Sequence, residues 1–460
     1  MTDQRPQSGE RAISELQIST CRCLAQILEK RRNLDWLRLN RPEWLALPGQ
    51  RELLYGVLRH YLSQRHRVSG LLAKPLRSKD SIIMYLLIVG AYQLRYAKAP
   101  AYAIIDSCVN ACAPLSRPWA KGLVNGLLRR LDTETPRPED APTQEELSLL
   151  ASQDHPAWMS NLIQATYPTC AEALMMANNE RAPMTLRANA TSQTRDQYVA
   201  RLSEAGILHR TMEQDSAIVL TSPQPAASLP DWREGACAVQ DLSAQFAAPK
   251  LMEFLRESQN PEVAPVVLDA CAAPGGKLFH LYEALCASFA TFQLFAIDNV
   301  PQRIEDLTSV GERLGHLPDD RVDIRCLDAS RLEDGDLPTF DAILLDAPCS
   351  GSGTMRRNPD IRLLLTPERL IEHSALQLKL LQQLWQRLRS GGTLLYCTCS
   401  MFEEENDQVI QAFSQDTSDA QPLSLQLSRG QATAAGGQLL PTDSMTDGFY
   451  YAALRKADTA

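Results

Sequence analysis

No stretch of this 460-residue chain is apolar over the ~20 residues that a membrane-spanning helix needs. The longest apolar run covers only 82–89 and is soon followed by Gln93 and Arg95. The first residues, Met1-Thr2-Asp3-Gln4-Arg5-Pro6, lack the basic segment and apolar run of a secretion signal, so a cytoplasmic address and no membrane partner are expected. The glycines form neither the three-glycine dinucleotide fingerprint nor a loop ending in Gly-Lys-Ser/Thr, which excludes those two phosphate-binding motifs. Twelve cysteines in so long a chain read as free thiols rather than a disulfide frame. There is no internal repeat, and no metal site is expected.

What is present is an ordinary globular composition, 44% hydrophobic and 22% charged, in a chain long enough for two or three domains. The net charge of −9 conceals a split. Residues 1–140 carry 22 Lys+Arg against 13 Asp+Glu, whereas 141–460 carry 24 against 42. A basic N-terminal third suits contact with phosphates, the alternative being a solvated helical surface.

From about 11 to 132 the apolar residues recur at helical spacing, as in Ile13, Leu16, Cys23, Leu24 and Ile27, which predicts an all-α domain of five to seven helices over 1–140. Its last helix, 120–131, sets Lys121, Asn125, Arg129 and Arg130 beside Leu123, Val124, Leu127 and Leu128, and is the candidate RNA-binding face. A charged, proline-rich connector over 133–142 closes the domain. Residues 141–238 read as an α+β connector domain, with helical patterns at 158–167, 171–179 and 195–205 and a β-like run at 184–189. Over 239–460 short apolar runs, most ending in an acid, alternate with helical patterns: 266–269, 294–298, 322–328, 342–346 and 393–396. That alternation predicts a Rossmann-like α/β domain, a parallel sheet with helices on both faces.

In such sheets ligands bind beyond the carboxyl ends of the strands, where these acids fall. The first strand runs into Asp269-Ala270-Cys271-Ala272-Ala273-Pro274-Gly275-Gly276-Lys277. Gly275 and Gly276 let a ligand approach the backbone closely, and the following helix start offers unpaired amides. Asp298 ends the second strand, where a carboxylate can accept from both ribose hydroxyls. Asp328 ends the third and can accept from an adenine amino group, and Asp346 ends the fourth beside the crevice. Any one of these alone reads more readily as a helix cap or strand-terminating turn residue. Together they select a ligand with an adenosyl group and no phosphates, S-adenosyl-L-methionine.

Two loops bring thiols to the same end, Asp346-Ala347-Pro348-Cys349-Ser350-Gly351-Ser352-Gly353 and Cys397-Thr398-Cys399-Ser400. Cys21, Cys23, Cys108, Cys112, Cys170, Cys237, Cys286 and Cys326 read as small buried hydrophobes. Cys349 and Cys399, in polar strand-end loops, read as reactive. A thiolate is what cytosine carbon 5 needs, since it is too weak a nucleophile to take a methyl group until a covalent bond at carbon 6 activates it. Asp346 can hold the Watson–Crick edge of that base and favour protonation at its ring nitrogen, so that the charge accumulating during attack is stabilised. The base must be single-stranded or flipped out.

These motifs, in this order and spacing, resemble the Sun-type RNA cytosine-5 methyltransferases over nearly the whole chain. Val239-Gln240-Asp241 and Asp447-Gly448-Phe449-Tyr450 are similar to the family's flanking motifs, and the helical third, with 121–130, is similar to the NusB fold. The resemblance implies that Cys399 forms the covalent adduct and Cys349 assists its breakdown. It also implies that S-adenosyl-L-methionine sits on Cys271 through Lys277, Asp298, Asp328 and Asp346, and that the substrate is 16S ribosomal RNA, free or in an assembling small subunit, met by a monomer. The same chemistry on tRNA or large-subunit rRNA, or a non-catalytic RNA or transcription-factor binder, are the alternatives. Leu278-Phe279 stand where relatives carry two threonines, and Leu363 where many carry an aromatic residue. Cys397 is an extra thiol, expected to pack on the same strand face as Cys399.

Overall fold

The computed structural model describes residues 7–134, 144–212, 216–258, 263–443 and 445–458. It divides into two compact units, Met1–Arg181 with Met355–Leu365, and Ala182–Thr354 with Thr366–Ala460.

In the first unit seven α-helices lie between Gln7 and Glu134 among the described residues, within the expected five to seven. The apolar run 82–89 belongs to helix Ser81–Tyr96, most of whose side chains are buried, as a helix apolar around its circumference must be. In helix Lys121–Glu134 the buried residues are Val124, Leu128 and Leu131, at i, i+4 and i+7. Helices Gln144–Gln153, Ala157–Thr166 and Ala171–Ala177 follow. The first of these escaped the sequence reading, because its polar Gln144-Glu145-Glu146 start gives little periodicity.

The segment 355–365 belongs to this unit although it follows the Cys349 motif in sequence. The buried Arg362 guanidinium donates to Asn179 Oδ1 at 2.6 Å and to the Asn178 and Arg59 carbonyls at 2.7 and 3.1 Å. Asp360 Oδ2 accepts from the Leu34 amide at 2.9 Å, and Leu363 and Leu364 pack with the helical core. Leu363, the departure from the family pattern, is therefore a packing residue of the helical unit.

The second unit opens with a small antiparallel sheet of β1 (Met184–Ala188), β2 (His209–Thr211), β3 (Ala217–Leu220) and β4 (Cys237–Val239), in the order β2-β3-β1-β4. Helix Arg195–Glu204 buries Tyr198 and Leu202 in the same core as this sheet and starts from a Thr194–Gln197 capping box. The large sheet holds β5 (Val266–Ala270), β6 (Gln293–Asp298), β7 (Val322–Cys326), β8 (Phe340–Asp346), β9 (Leu388–Thr398), β10 (Ala420–Leu423), β11 (Gln431–Ala432), β12 (Gly437–Leu439) and β13 (Phe449–Lys456). The run β7-β6-β5-β8-β9 is parallel, as expected. β13 departs from that expectation, lying antiparallel to β9 with Tyr451 opposite Cys397.

Alternate residues of each strand enter different cores. Val267, Ala296, Leu344 and Leu395 pack with helices Ala247–Ser258 and Gly276–Ser288, whereas Leu268, Ile297, Leu345 and Tyr396 pack with helix Pro367–Trp385. Helices on both faces make the strands nearly all apolar and free their carboxyl ends as a ligand edge.

Burial pushes the Asp360 carboxyl up to about 6. Below the unfolded value, ~3.9, the group is protonated whether folded or not; above about 6 it ionises in a buried site, and the folded state loses the difference. Asp360→Asn is therefore expected to match the wild type in thermal unfolding near pH 4 and to be the more stable near pH 7, by up to about 3 kcal/mol. A stability difference that stays constant across that range contradicts the account.

Candidate active site

Parallel pairing of β8 and β9 sets the geometry. Asp346, the last residue of β8, pairs in register with Cys397, and beyond the strands the two chains stay together: the Ala347 amide donates to the Cys397 carbonyl and the Gly353 amide to that of Cys399, both at 2.9 Å. The Cys349 and Cys399 sulfurs consequently lie 3.4 Å apart, both half-buried. The Cys399 contact, burial and the Glu405 charge all push the Cys349 thiol up.

Asp346 sits next to this pair. Its Oδ2 accepts from Lys277 Nζ at 2.7 Å, and its Oδ1 lies 3.5 Å from Cys397 Sγ. Burial would pull the Lys277 ammonium down, but Asp346 and the thiols of Cys397 and Cys399 hold it above its ordinary value. Cys397 is fully buried on β9 and packs in the same core cluster that Cys399, one residue past the end of β9, borders.

The glycine loop closes over the end of β5. Gly275 takes a left-handed φ of +98° and Gly276 begins the helix Gly276–Ser288. A side chain at Gly275 would be strained in that conformation and would press on the Phe279 ring. Leu278 and Phe279, the departures from the usual threonine pair, are fully buried core residues. Asp298 ends β6; its Oδ1 caps the Val300 amide, and its Oδ2 has no hydrogen-bond donor, with Arg303 3.2 Å away. Arg303 also donates to the Ala273 carbonyl at 2.6 Å, joining the acid to the loop. Asp328 lies two residues beyond the end of β7, not on it, and accepts from the Ser330 amide. Asp269 is fully buried with neither carboxylate oxygen bonded; burial and then Asp346 push it well above the carboxylate range.

The structure thus brings together Cys349, Cys399, Asp346 and Lys277. It sets the loop 271–277 beside Asp269 and Asp298. Lys121, Arg129 and Arg130 are exposed on their helix in the first unit, Arg129 bonded to Asn125 and Arg130 paired with Glu134. Cys326 is exposed because it ends the edge strand β7, against the expectation of burial, and Cys170 and Cys286 are half-buried. Sequence reasoning missed Arg303 and Glu405. The first lies within an ordinary amphipathic helix, and the second ends a run of three glutamates that reads as surface charge.

A doubly wound domain with an adenosyl-type acid and glycine edge and two apposed thiols defines a methyltransferase class. Comparison with known proteins agrees. Residues 256–455 match the family model described as 16S rRNA methyltransferase RsmB/F, 155–227 the RsmF/B-like ferredoxin-like domain, and 48–133 the NusB family. The chain is 38% identical over 410 residues to the probable ribosomal RNA small subunit methyltransferase B of Coxiella burnetii, covering 88% of this chain and 91% of that protein. It is 37% identical over 409 residues to ribosomal RNA small subunit methyltransferase B of Shewanella oneidensis, covering 88% and 90%. The chain belongs to the RsmB/F family of rRNA methyltransferases. The crystal structure of PH0851 shares the fold, with a TM-score of 0.77 and 22% identity over 99% of this chain and all of that one. Among the described residues no helix is long and apolar enough to cross a membrane.

A Cβ on Gly353 would collide with the Gly448 carbonyl, so the thiol loop and the segment entering β13 can meet only through glycine. Gly353→Ala is expected to cost about 1–3 kcal/mol of stability by overpacking. An unchanged thermal transition contradicts that close approach.

Proposed function

We propose that this protein methylates cytosine carbon 5 in 16S ribosomal RNA, using S-adenosyl-L-methionine, through a covalent adduct on Cys399. The observation that carries the reading is the 3.4 Å approach of two half-buried sulfurs beside a strand-end carboxylate. A lone thiol would serve many chemistries, whereas two on one base divide the making and the breaking of a carbon–sulfur bond.

The chain's residues fit the cofactor. The unbonded oxygens of Asp269 need donors, and Asp298 Oδ2 faces only the Arg303 guanidinium; hydroxyl and amino groups of an adenosylmethionine would supply further donors. Asp298 would take the ribose, the 271–277 loop the rest of the cofactor, and Asp328 the adenine side. When bound, S-adenosyl-L-methionine supplies the methyl group that an activated carbon 5 accepts. Cys399 attacks carbon 6 and makes carbon 5 nucleophilic, while Asp346, held by Lys277, takes the base edge and favours protonation at the ring nitrogen, which neutralises the negative charge that the attack pushes there. Loss of the carbon 5 proton then expels the Cys399 thiolate, a step that Cys349 assists from its place against that sulfur.

The RNA itself would be met by the basic helical domain, 1–140, with Lys121, Asn125, Arg129 and Arg130 on phosphates. The connector, 141–238, and the catalytic domain, 239–460, complete a three-part cytoplasmic enzyme.

Label transfer from tritiated S-adenosyl-L-methionine to 16S rRNA tests the activity directly; absence of transfer from folded protein contradicts it. Cys399→Ala is expected to abolish both transfer and covalent capture of RNA, and Cys349→Ala to leave RNA trapped on the enzyme in a denaturing gel. A cross-link that persists in Cys399→Ala and is absent from Cys349→Ala exchanges the roles. Asp298→Ala is expected to weaken S-adenosyl-L-methionine binding by about 1–3 kcal/mol in calorimetry, the range for hydrogen bonds to a charged acceptor. An unchanged affinity removes Asp298 from the site.

A further inference from the structure

Each site cysteine is followed by a serine, and both serines end on one carboxylate. Glu405, fully buried on the short turn Glu403–Glu405 after β9, accepts through Oε1 from the Ser350 amide at 2.7 Å and through Oε2 from the Ser350 and Ser400 hydroxyls, 2.5 Å each. Gln377 of helix Pro367–Trp385 donates to Glu405 Oε1 at 3.2 Å and to the Pro348 carbonyl at 2.9 Å, fixing the residue before Cys349 as well. Hydrogen bonds from hydroxyls to an ionised acceptor are among the strong ones, and a buried carboxylate is retained only where such donors converge. Here they come from the two loops that deliver the thiols.

We infer that Glu405 is a positioning residue: it clamps the Cys349 and Cys399 loops to each other and thereby sets the distance between their sulfurs. The inference rests on the paired-thiol reading above and adds a residue that touches neither base nor methyl donor. The same charge also disfavours a second anion in the loop, in keeping with its part in pushing the Cys349 thiol up, after the Cys399 contact and burial.

The test measures thiol spacing without RNA. Diamide takes two electrons and two protons from a pair of neighbouring thiols, forming a disulfide and the reduced hydrazine, so the rate at which a 349–399 disulfide appears in peptide mass spectra reports their approach. The full chain is compared with Glu405→Gln, which keeps one carbonyl acceptor, and Glu405→Ala, which keeps none. The expected order of cross-linking rate is wild type, then Gln, then Ala, with at least a tenfold fall for Ala. kcat for RNA methylation should follow the same order while KM for RNA and the affinity for S-adenosyl-L-methionine stay within about threefold. Wild-type cross-linking and kcat in Glu405→Ala overturn the inference, and so does a loss of cofactor affinity that matches the loss of kcat, since that marks general damage. If Glu405→Ala does not fold, Glu405→Gln decides: slowed cross-linking with intact cofactor binding supports the clamp, and an unchanged rate overturns it. Wild-type protein that cross-links readily but labels no RNA would sink the proposed function and leave the clamp standing.

Discussion

The account depends on one constraint: two parallel strands that end side by side must hand their following loops on in parallel as well. β8 and β9 are hydrogen-bonded neighbours up to Asp346 and Cys397, and the amides of Ala347 and Gly353 carry that pairing past the sheet. Two thiols fifty residues apart in sequence therefore meet through the pairing of their strands. A one-residue shift in the register of this pair would separate the sulfurs and turn Cys397 toward the core on the opposite face, because residues alternate across the sheet.

The same edge manages charge. Asp269, Asp298 and Asp346 converge there, and the sheet tolerates them in different ways. Asp346 is paired with Lys277, Asp298 is half-satisfied by its own turn beside Arg303, and Asp269 is left with no donor at all. Unfilled buried acceptors of this kind need donors, which the proposed cofactor would supply. Glu405, by contrast, is supplied with donors by the two thiol loops and Gln377, which suits a carboxylate that shapes the site rather than one that binds.

Much of this was legible in the sequence. The strand-end acids and glycine loop follow from short continuous apolar runs, most of them closed by Asp, and five parallel strands formed where those runs fell. The cysteine pair could be placed at one end of the sheet, but not at contact distance, because the strand order that makes β8 and β9 neighbours is not written in either strand. β13 was hidden for a similar reason: Phe449-Tyr450-Tyr451-Ala452-Ala453-Leu454 is apolar on both faces and carries no mark of its direction. The segment 355–365 looks like a catalytic loop by position, yet Arg362 and Asp360 find their partners in the helical unit. Glu405 was illegible, since a buried carboxylate and a surface one are the same letter until their donors are known.

The most direct measurement uses RNA carrying 5-fluorocytidine, whose carbon 5 has a fluorine in place of the proton that must leave. Incubated with S-adenosyl-L-methionine and the wild-type enzyme, then digested and analysed by mass spectrometry, it should leave a methylated fluorocytidine on the peptide that contains Cys399. An unmodified Cys399 peptide, with active enzyme that releases its RNA or carries it elsewhere, would contradict the covalent account.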